Sequence, residues 1–558
     1  MSLLEQVKLL HDAGLHSNVK MVANLVLSAS EHSPDVLTMA QKYQIQVWYG
    51  DALYEGEEYR KAESVYKRAL QMKKVLNKSR ARGGQSTVTS EQDLPQEVDV
   101  KYRIHECHCH LKQLKEAVGV LESIPGKQKT PKVNMALAKL YQKAGLERSS
   151  ITYFREVLKE CPMALEAVLC LLSLGVKGAE VASLTMNNLP TLSNVESWLT
   201  SLVKGHAHAA LKDYSKAITI FKTLESKSIL RDSTELLHSL AEAYFMSGDL
   251  RNALQVFVRL HSLDADWMRG MDIYAYLLSE EKEVKELESL ASLLMAISES
   301  KPEPWVAMGY YCAVTKKPTR AIYFAQKAFT IDSRNAQSVI LKGSVLKECN
   351  KTSEAILHFR EAIRIAPHRF EAHKGLVECL VAAHRLKEAA TNATNACRTL
   401  GNTPRSLTLL SSVLAKESQV VDKAKCMLEK ALSMDPSHLD AVYVMAEILG
   451  KEQKYDKAIE LLRNQLRLQS TCRLHQMLGD YLAATNDHQE ALDQYSIALS
   501  MDPTNRKAME GLQKVEQATD GIEGSADDDL DGMEESAEEA EMEPSDTDVE
   551  WPDQEWFN

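Results

Sequence analysis

AIYFAQKAFTIDSRNAQSVILKGSVLKECNKTSEAILHFREAIRIAP, running from Ala321 to Pro367, decides how the chain is read. It opens on Ala321 and returns to alanine at Ala355, 34 residues later. Seven residues after each comes another alanine, Ala328 and Ala362. Gly343 stands twelve residues before Ala355, Phe359 four residues after it and Pro367 twelve after it. Moving outward, the first alanine recurs as Ala389, Ala424, Ala458 and Ala491, with steps of 34, 34, 35, 34 and 33 counted from Ala321. Its companion recurs as Ala396, Ala431, Gln465 and Ala498. Gly309 and Gly479 repeat the glycine, Pro436 and Pro503 the proline, and Tyr495 the aromatic. A fixed step with fixed internal offsets marks a repeat protein, and repeats must be found before any domain is drawn.

The residue types explain themselves if each unit is two antiparallel helices. Gly or Ala fits in the first helix where the second crosses close to it. The two alanines seven residues apart lie two turns apart on one face of the second helix, again at a close contact. Proline just beyond that helix cannot continue it and sets the turn. One pair cannot bury its apolar face alone, so the pairs must stack. Small residues at positions 8, 20 and 27 and proline at 32 are the tetratricopeptide pattern. The expected fold is therefore all-α: a tetratricopeptide-repeat α-solenoid, a superhelix of antiparallel helix pairs, ending in a disordered acidic tail.

The N-terminal half repeats more loosely. Gly50, Ala62, Tyr66 and Ala69 keep the offsets, as do Ala138, Tyr141, Phe154 and Pro162, then Gly205, Ala217 and Phe221, then Ala241, Tyr244, Ala253 and Phe257. This predicts fourteen or fifteen units in four parts: N-terminal repeats over 1–162, degenerate repeats over 163–301, regular repeats over 302–510 and a tail over 511–558. The polar stretch 78–97 (KSRARGGQSTVTSEQDLPQE) reads as a flexible inserted loop. Just before and within it, Lys73, Lys74, Lys78, Arg80 and Arg82 form a basic cluster.

Composition narrows the function. The chain has 558 residues, 44% hydrophobic but 6% aromatic, with 23 glycines and 15 prolines, which suits helices better than sheets. Net charge is −12, yet from Glu516 onward there are 18 acids and no bases. The other 515 residues hold 66 basic and 60 acidic side chains, so the body is mildly basic at +6. No run of 18 apolar residues occurs, and Glu5, Lys8 and Asp12 interrupt the apolar N-terminus, so neither a membrane span nor a signal peptide is expected. Ten scattered cysteines read as reduced thiols, and the eight outside the run at His105–His110 as small buried hydrophobes.

Three constellations stand out. His105, His108 and Cys109 would share one helical face and are a weak zinc candidate, weighed against positions 8 and 11 of a repeat, which are core positions. Leu3, Leu4, Val7, Leu10, Val22 and Val26 form an apolar seam, read either as a dimer contact or as core packing of the first pair. Trp551, Trp556 and Phe557 sit in an otherwise acidic tail and suggest a docking motif, with Ser525, Ser536 and Ser545 as acid-flanked modification candidates. No nucleophile elbow or phosphate loop occurs, which leaves no catalytic residues, no cofactor and no small-molecule substrate to assign. Groove positions such as Glu303, Tyr310, Gln337, Glu371, Lys374 and Glu378 carry no basic clamp, which counts against the alternative of an adaptor or co-chaperone that binds peptide tails.

Several segments resemble the subunit 7 family of the anaphase-promoting complex (cyclosome): AGLHSNVK (Ala13–Lys20), KTPKVNMALAKLYQKAG (Lys129–Gly145), LLSLGVKGAEVASLTMN (Leu171–Asn187), EPWVAMG (Glu303–Gly309), HFREAIRIAP (His358–Pro367), QEALDQYSIALSMDP (Gln489–Pro503) and WPDQEWF (Trp551–Phe557). The block at Leu171–Asn187 is the most specific, because the repeat pattern does not require it. The resemblance implies a non-catalytic scaffold of a cell-cycle ubiquitin ligase. It implies pairing with a second copy through the N-terminal repeats and stacking on related tetratricopeptide subunits. It also implies a location in nucleus and cytoplasm, including the mitotic spindle. No nucleic-acid or membrane partner is implied.

Overall fold

In the computed structural model the described residues are 2–33, 37–81, 94–186, 195–227, 230–417 and 420–523. Among them lie twenty-nine α-helices, one short 3-10 turn and no strand. Within each of the chain's two compact units successive helices pair antiparallel and the pairs stack in chain order: this is the all-α tetratricopeptide solenoid that the periodicity predicts.

Local signals set the helix ends. Ser2, Thr38 and Thr403 each make a reciprocal capping box with the residue three positions on. Pro131, Pro302, Pro318 and Pro404 occupy first helical positions, where a missing N–H is harmless. The tight turn inside each pair uses a left-handed residue. Lys316, Asn350 and His384 hold φ of 57–58° at 34-residue intervals, and Gln453 and Asn486 follow at 60° and 61°. This conformation costs a side-chain-bearing residue about 1 kcal/mol or more, so the surrounding packing must impose it.

The periodic alanines are the core. All eleven, Ala321, Ala328, Ala355, Ala362, Ala389, Ala396, Ala424, Ala431, Ala458, Ala491 and Ala498, have no exposed surface. The position-8 glycines have a more specific partner than a crossing backbone. A Cβ on Gly343 would meet the Phe359 ring at 3.0 Å, and one on Gly479 would meet Tyr495 at 2.9 Å. Gly50 faces Tyr66 and Gly205 faces Phe221 at the same sixteen-residue offset. Gly309 differs, since the Leu341 side chain fills that place.

The chain divides into two compact units, Met1–Gly375 and Leu376–Asn558. The first holds the helices from Leu3–Asp12 to Ala336–Glu348 and Thr352–Ile365. The second holds those from Leu386–Leu400 to Arg506–Glu523.

Three expectations need correction, and one of two open readings is decided. The stretch 78–97 is not all loop: the helix Tyr59–Ala81 runs into its start, and Leu94 is buried beside Tyr43, whose hydroxyl donates to the Pro95 carbonyl at 2.8 Å. Residues 82–93 between them, including Arg82 of the basic cluster, lie outside the described residues. The helix Arg506–Glu523 continues past Gly511, because the last repeat needs a lid: Ala508 and Val515 are buried against the Tyr495 cluster. The rest of the acidic tail, with Trp551, Trp556 and Phe557, lies outside the described residues. Cys161 and Cys426 are exposed, unlike Cys107, Cys312 and Cys379. Finally, Val7 and Val26 are buried in the chain's own first core, with Leu4 and Val22 packed beside them, so the N-terminal seam is mostly internal packing.

Candidate interaction surfaces

The N-terminal helices present a second apolar face. Buried Val19, Ala23, Val26 and Ser30 take the inner side of the helix His16–His32. Met21 and Leu25, one turn apart, are 66% and 70% exposed on its outer side, and Leu3, Leu9 and Leu15 are about half exposed nearby in sequence. A ring-and-ion cluster clasps the first helix to the third. His11 lies over Trp48 with ring centroids 5.7 Å apart, and its Nε2 stands 3.4 Å from an Asp51 oxygen. The hydrogen bond to Asp51 is the largest cause raising the His11 pKa. Asp51 also accepts from the Tyr66 hydroxyl at 2.6 Å.

The zinc candidate does not assemble. His105 is buried, its Nδ1 donating to the Tyr102 carbonyl, and His108 is buried with Nδ1 2.8 Å from the Gln113 amide oxygen. Cys109 packs into a different cluster, and among the described residues no three His, Cys, Asp or Glu side chains come together to hold a metal ion. Burial pushes the Cys107 thiol up to about 12, which removes it as a nucleophile near neutral pH. Among the described residues no helix is long and apolar enough to cross a membrane.

Within the first unit a polar lattice links several helices. Arg369 donates to the Gln337 side-chain oxygen, lies 3.4 Å from Glu371 and covers the Phe245 ring at 4.8 Å. Gln337 donates to the Tyr310 hydroxyl at 2.5 Å, and Asn335 donates to Asp272 at 3.0 Å. Arg334 donates to the carbonyls of Gln142 and Lys143, at 3.2 and 2.9 Å, so one turn caps a helix end some 190 residues away in the chain. Desolvation raises the carboxyl pKa values of Glu242, Glu280 and Glu303. The Glu242 side chain is partly open to solvent and edges a hollow with Tyr214 and Phe221.

Beside this lattice is a cavity of about 430 Å³, floored by Leu165, Val168, Leu202 and Leu236 and edged by Trp198, His206 and Arg269. His206 also edges a neighbouring hollow with Tyr214, Phe221 and Glu242. Burial, then the Arg269 charge, lowers the His206 pKa to about 4. The same causes, joined by His206, lower His238 to about 3. A neutral His206 imidazole beside a largely apolar lining suits an apolar side chain. Sequence reading missed this cavity because its residues come from irregular repeats. The sixteen-residue glycine-to-aromatic offset was visible in the sequence and would have located the rings.

A sequence model of the tetratricopeptide repeat matches residues 336–369. Over its whole length the chain is 45% identical to anaphase-promoting complex subunit 7 of Mus musculus and of Homo sapiens, covering 100% of each. It is 28% identical to subunit 7 of Arabidopsis thaliana, over 94% of this chain and 96% of that protein. Its fold resembles a chain in the crystal structure of the APC/C hetero-tetramer Cut9-Hcn1, with a TM-score of 0.60 over 92% of this chain and 96% of that one, at 16% identity. With a full-length match at this identity, and with repeat, pairing and capping as described, the chain belongs to the anaphase-promoting complex subunit 7 family.

Proposed function

We propose that the chain is a non-catalytic scaffold subunit of the anaphase-promoting complex, a cell-cycle ubiquitin ligase, and that it supports ubiquitination of mitotic regulators through its surfaces alone. The observation that carries this reading is the end-to-end 45% identity with subunit 7 proteins. A solenoid whose small residues are spent on helix packing has surfaces to offer and little else. Catalysis then belongs to other subunits, with cullin-like and RING folds. Likeness to a second tetratricopeptide protein, cell division cycle protein 27 homolog A of Arabidopsis thaliana (26% identical over 57% of this chain), supports stacking on related subunits.

The proposal includes a homodimer. The exposed face of Leu9, Met21 and Leu25 supports it, and burying such side chains contributes about 1.5–3 kcal/mol each. It also includes a location in nucleus and cytoplasm, with the spindle in mitosis, to be followed by imaging a tagged chain. Affinity purification of the tagged full-length chain from mitotic cells, followed by mass spectrometry, tests the main reading. Recovery of other tetratricopeptide subunits together with cullin- and RING-type subunits in fixed ratio is the expected outcome. Recovery of chaperones alone overturns it.

A further inference from the structure

Repeats in a solenoid touch their neighbours and little else. Most of the first unit obeys this. Each helix packs chiefly against the next or the next but one, and polar bridges such as Arg259 to Glu225 span one repeat. Two arginines break the rule. Arg334 donates to the carbonyls of Gln142 and Lys143, 192 and 191 residues earlier in the chain. Arg369 covers the Phe245 ring, more than three repeats back, at 4.8 Å from its centroid. Beside these contacts the Lys212 charge acts on His368, and the Arg369 charge acts on Glu242. The segment from Arg334 to Arg369 therefore meets three points far behind it, at 142–143, 212 and 242–245, and the first unit closes on itself.

Local structure prepares both ends of the Arg334 contact. Gln142 and Lys143 end the helix Pro131–Lys143, where the last carbonyls lack an intrahelical donor. A cation there also meets the negative end of the helix dipole. The turn that carries Arg334 is tied down on both sides. The Arg334 amide donates to Asp332 at 2.9 Å. Asn335 accepts from the Ser338 amide at 2.8 Å and donates to Asp272 at 3.0 Å. The guanidinium has no carboxylate partner among the described residues, so its hold is on the two carbonyls.

This contact is strong enough to bias a shape and weak enough to release. It is one exposed side chain, and a hydrogen bond of this kind shifts an equilibrium about fivefold. Arg369 differs. Its side chain is 12% exposed and is also held by Gln337 and Glu371, so it marks the fixed side of the closure. Several repeat interfaces lie between Lys143 and Arg334, and small rotations at each add up along the array.

We propose that Arg334 is a latch. Engaged, it closes the first unit on itself. Released, it lets the two ends part by small rotations spread over the repeats between Lys143 and Arg334, each repeat staying folded. The chain then offers its partners two curvatures from one fold, which goes beyond a fixed scaffold.

Distance measurement between two spin labels on the full-length chain tests this. Nitroxide-bearing non-natural residues are placed at positions 146 and 333, because ten native cysteines preclude thiol labelling. Leu146 and Ser333 are exposed and lie beside the two ends of the latch. Wild type should give a dominant short distance. Arg334→Ala should raise the ratio of long to short distances about fivefold with helix content unchanged by circular dichroism. Arg334→Lys keeps the charge but loses the planar fork, and should fall between the two. Arg259→Ala breaks the bonds to Glu225 and Asp232 between neighbouring repeats, and should leave the distances as in wild type. A wild type without the short distance, identical distributions in wild type and Arg334→Ala, or equal broadening by Arg259→Ala overturns the proposal. Loss of helix content in Arg334→Ala also overturns it, because the residue would then hold a fold rather than a shape.

Discussion

Gly375→Ala and Gly343→Ala are the same chemical change against one ring, and they should differ in cost. Phe359 is 1% exposed, and its ring is the nearest neighbour of both glycines. A Cβ on Gly343 would stand 3.0 Å from two ring carbons, while one on Gly375 would stand 2.3 and 2.4 Å from them. In mid-helix, alanine is favoured over glycine by about 0.5–1 kcal/mol. At Gly343 the ring need yield only a few tenths of an ångström, so gain and crowding nearly cancel and stability changes by about 0.5 kcal/mol or less. At Gly375 the overlap is close to a full ångström beyond contact, and the ring is fully packed. Overpacking there costs about 1–3 kcal/mol, leaving a net loss of about 1–2 kcal/mol. Phe359→Leu removes the ring and opens space, so the double variant Gly375→Ala/Phe359→Leu should lose about 1 kcal/mol less than the two single losses added together. Urea unfolding followed by circular dichroism measures all four proteins. Hydrogen exchange in the helices Thr352–Ile365 and Phe370–Ala382 assigns the loss locally, because a solenoid need not unfold as one piece. A Gly375→Ala protein as stable as wild type, or strict additivity with Phe359→Leu, would refute the account of Phe359 packed against Gly375.

Other consequences are equally concrete. Met21→Asp/Leu25→Asp should leave the helix content intact and halve the mass seen by light scattering, and a folded, fully dimeric variant would discard that face. His206 and His238 are depressed below the free imidazole value, so the unfolded chain binds their protons first: stability is full above pH 6.5 and falls as pH drops toward 4. Each contributes a slope of at most about 1.4 kcal/mol per pH unit, and His206→Gln/His238→Gln should flatten the difference between pH 6.5 and 5 relative to wild type. A slope that the double variant leaves unchanged would assign the acid sensitivity to other groups. Arg334→Ala should speed amide exchange in the last turn of the helix Pro131–Lys143, at a cost of about 1 kcal/mol, since the guanidinium caps the Gln142 and Lys143 carbonyls. Unchanged exchange there would show that the bridge carries no energy.

The periodic alanines were legible because a solenoid is built from contacts close in sequence: Ala355 and Ala362 are small for reasons that lie within 34 residues on either side. Resemblance of segments such as Leu171–Asn187 pointed to the family, and the full-length comparisons bear it out. The seam at Val7 and Val26 shows where periodicity stops helping. An apolar helical stripe states that something covers it, but not whether the cover is the next helix or another molecule. Here the next helices cover Val7 and Val26, while Met21 and Leu25 on the other side are left open. The histidine-cysteine run at His105–Cys109 misleads for a related reason: spacing puts the side chains on one face, but Tyr102 and Gln113 claim the rings first.

By itself the sequence determined the helical class, the 34-residue step, the small residues at each crossing and the acidic, aromatic character of the C-terminal segment. All of these follow from local steric and compositional rules. Tertiary structure decided which apolar faces were spent internally, where Arg334 and Arg369 reach, and which large side chains remain exposed. Those depend on how each pair rotates against the next. Small rotations accumulate over many repeats, and no single 34-residue window contains their sum.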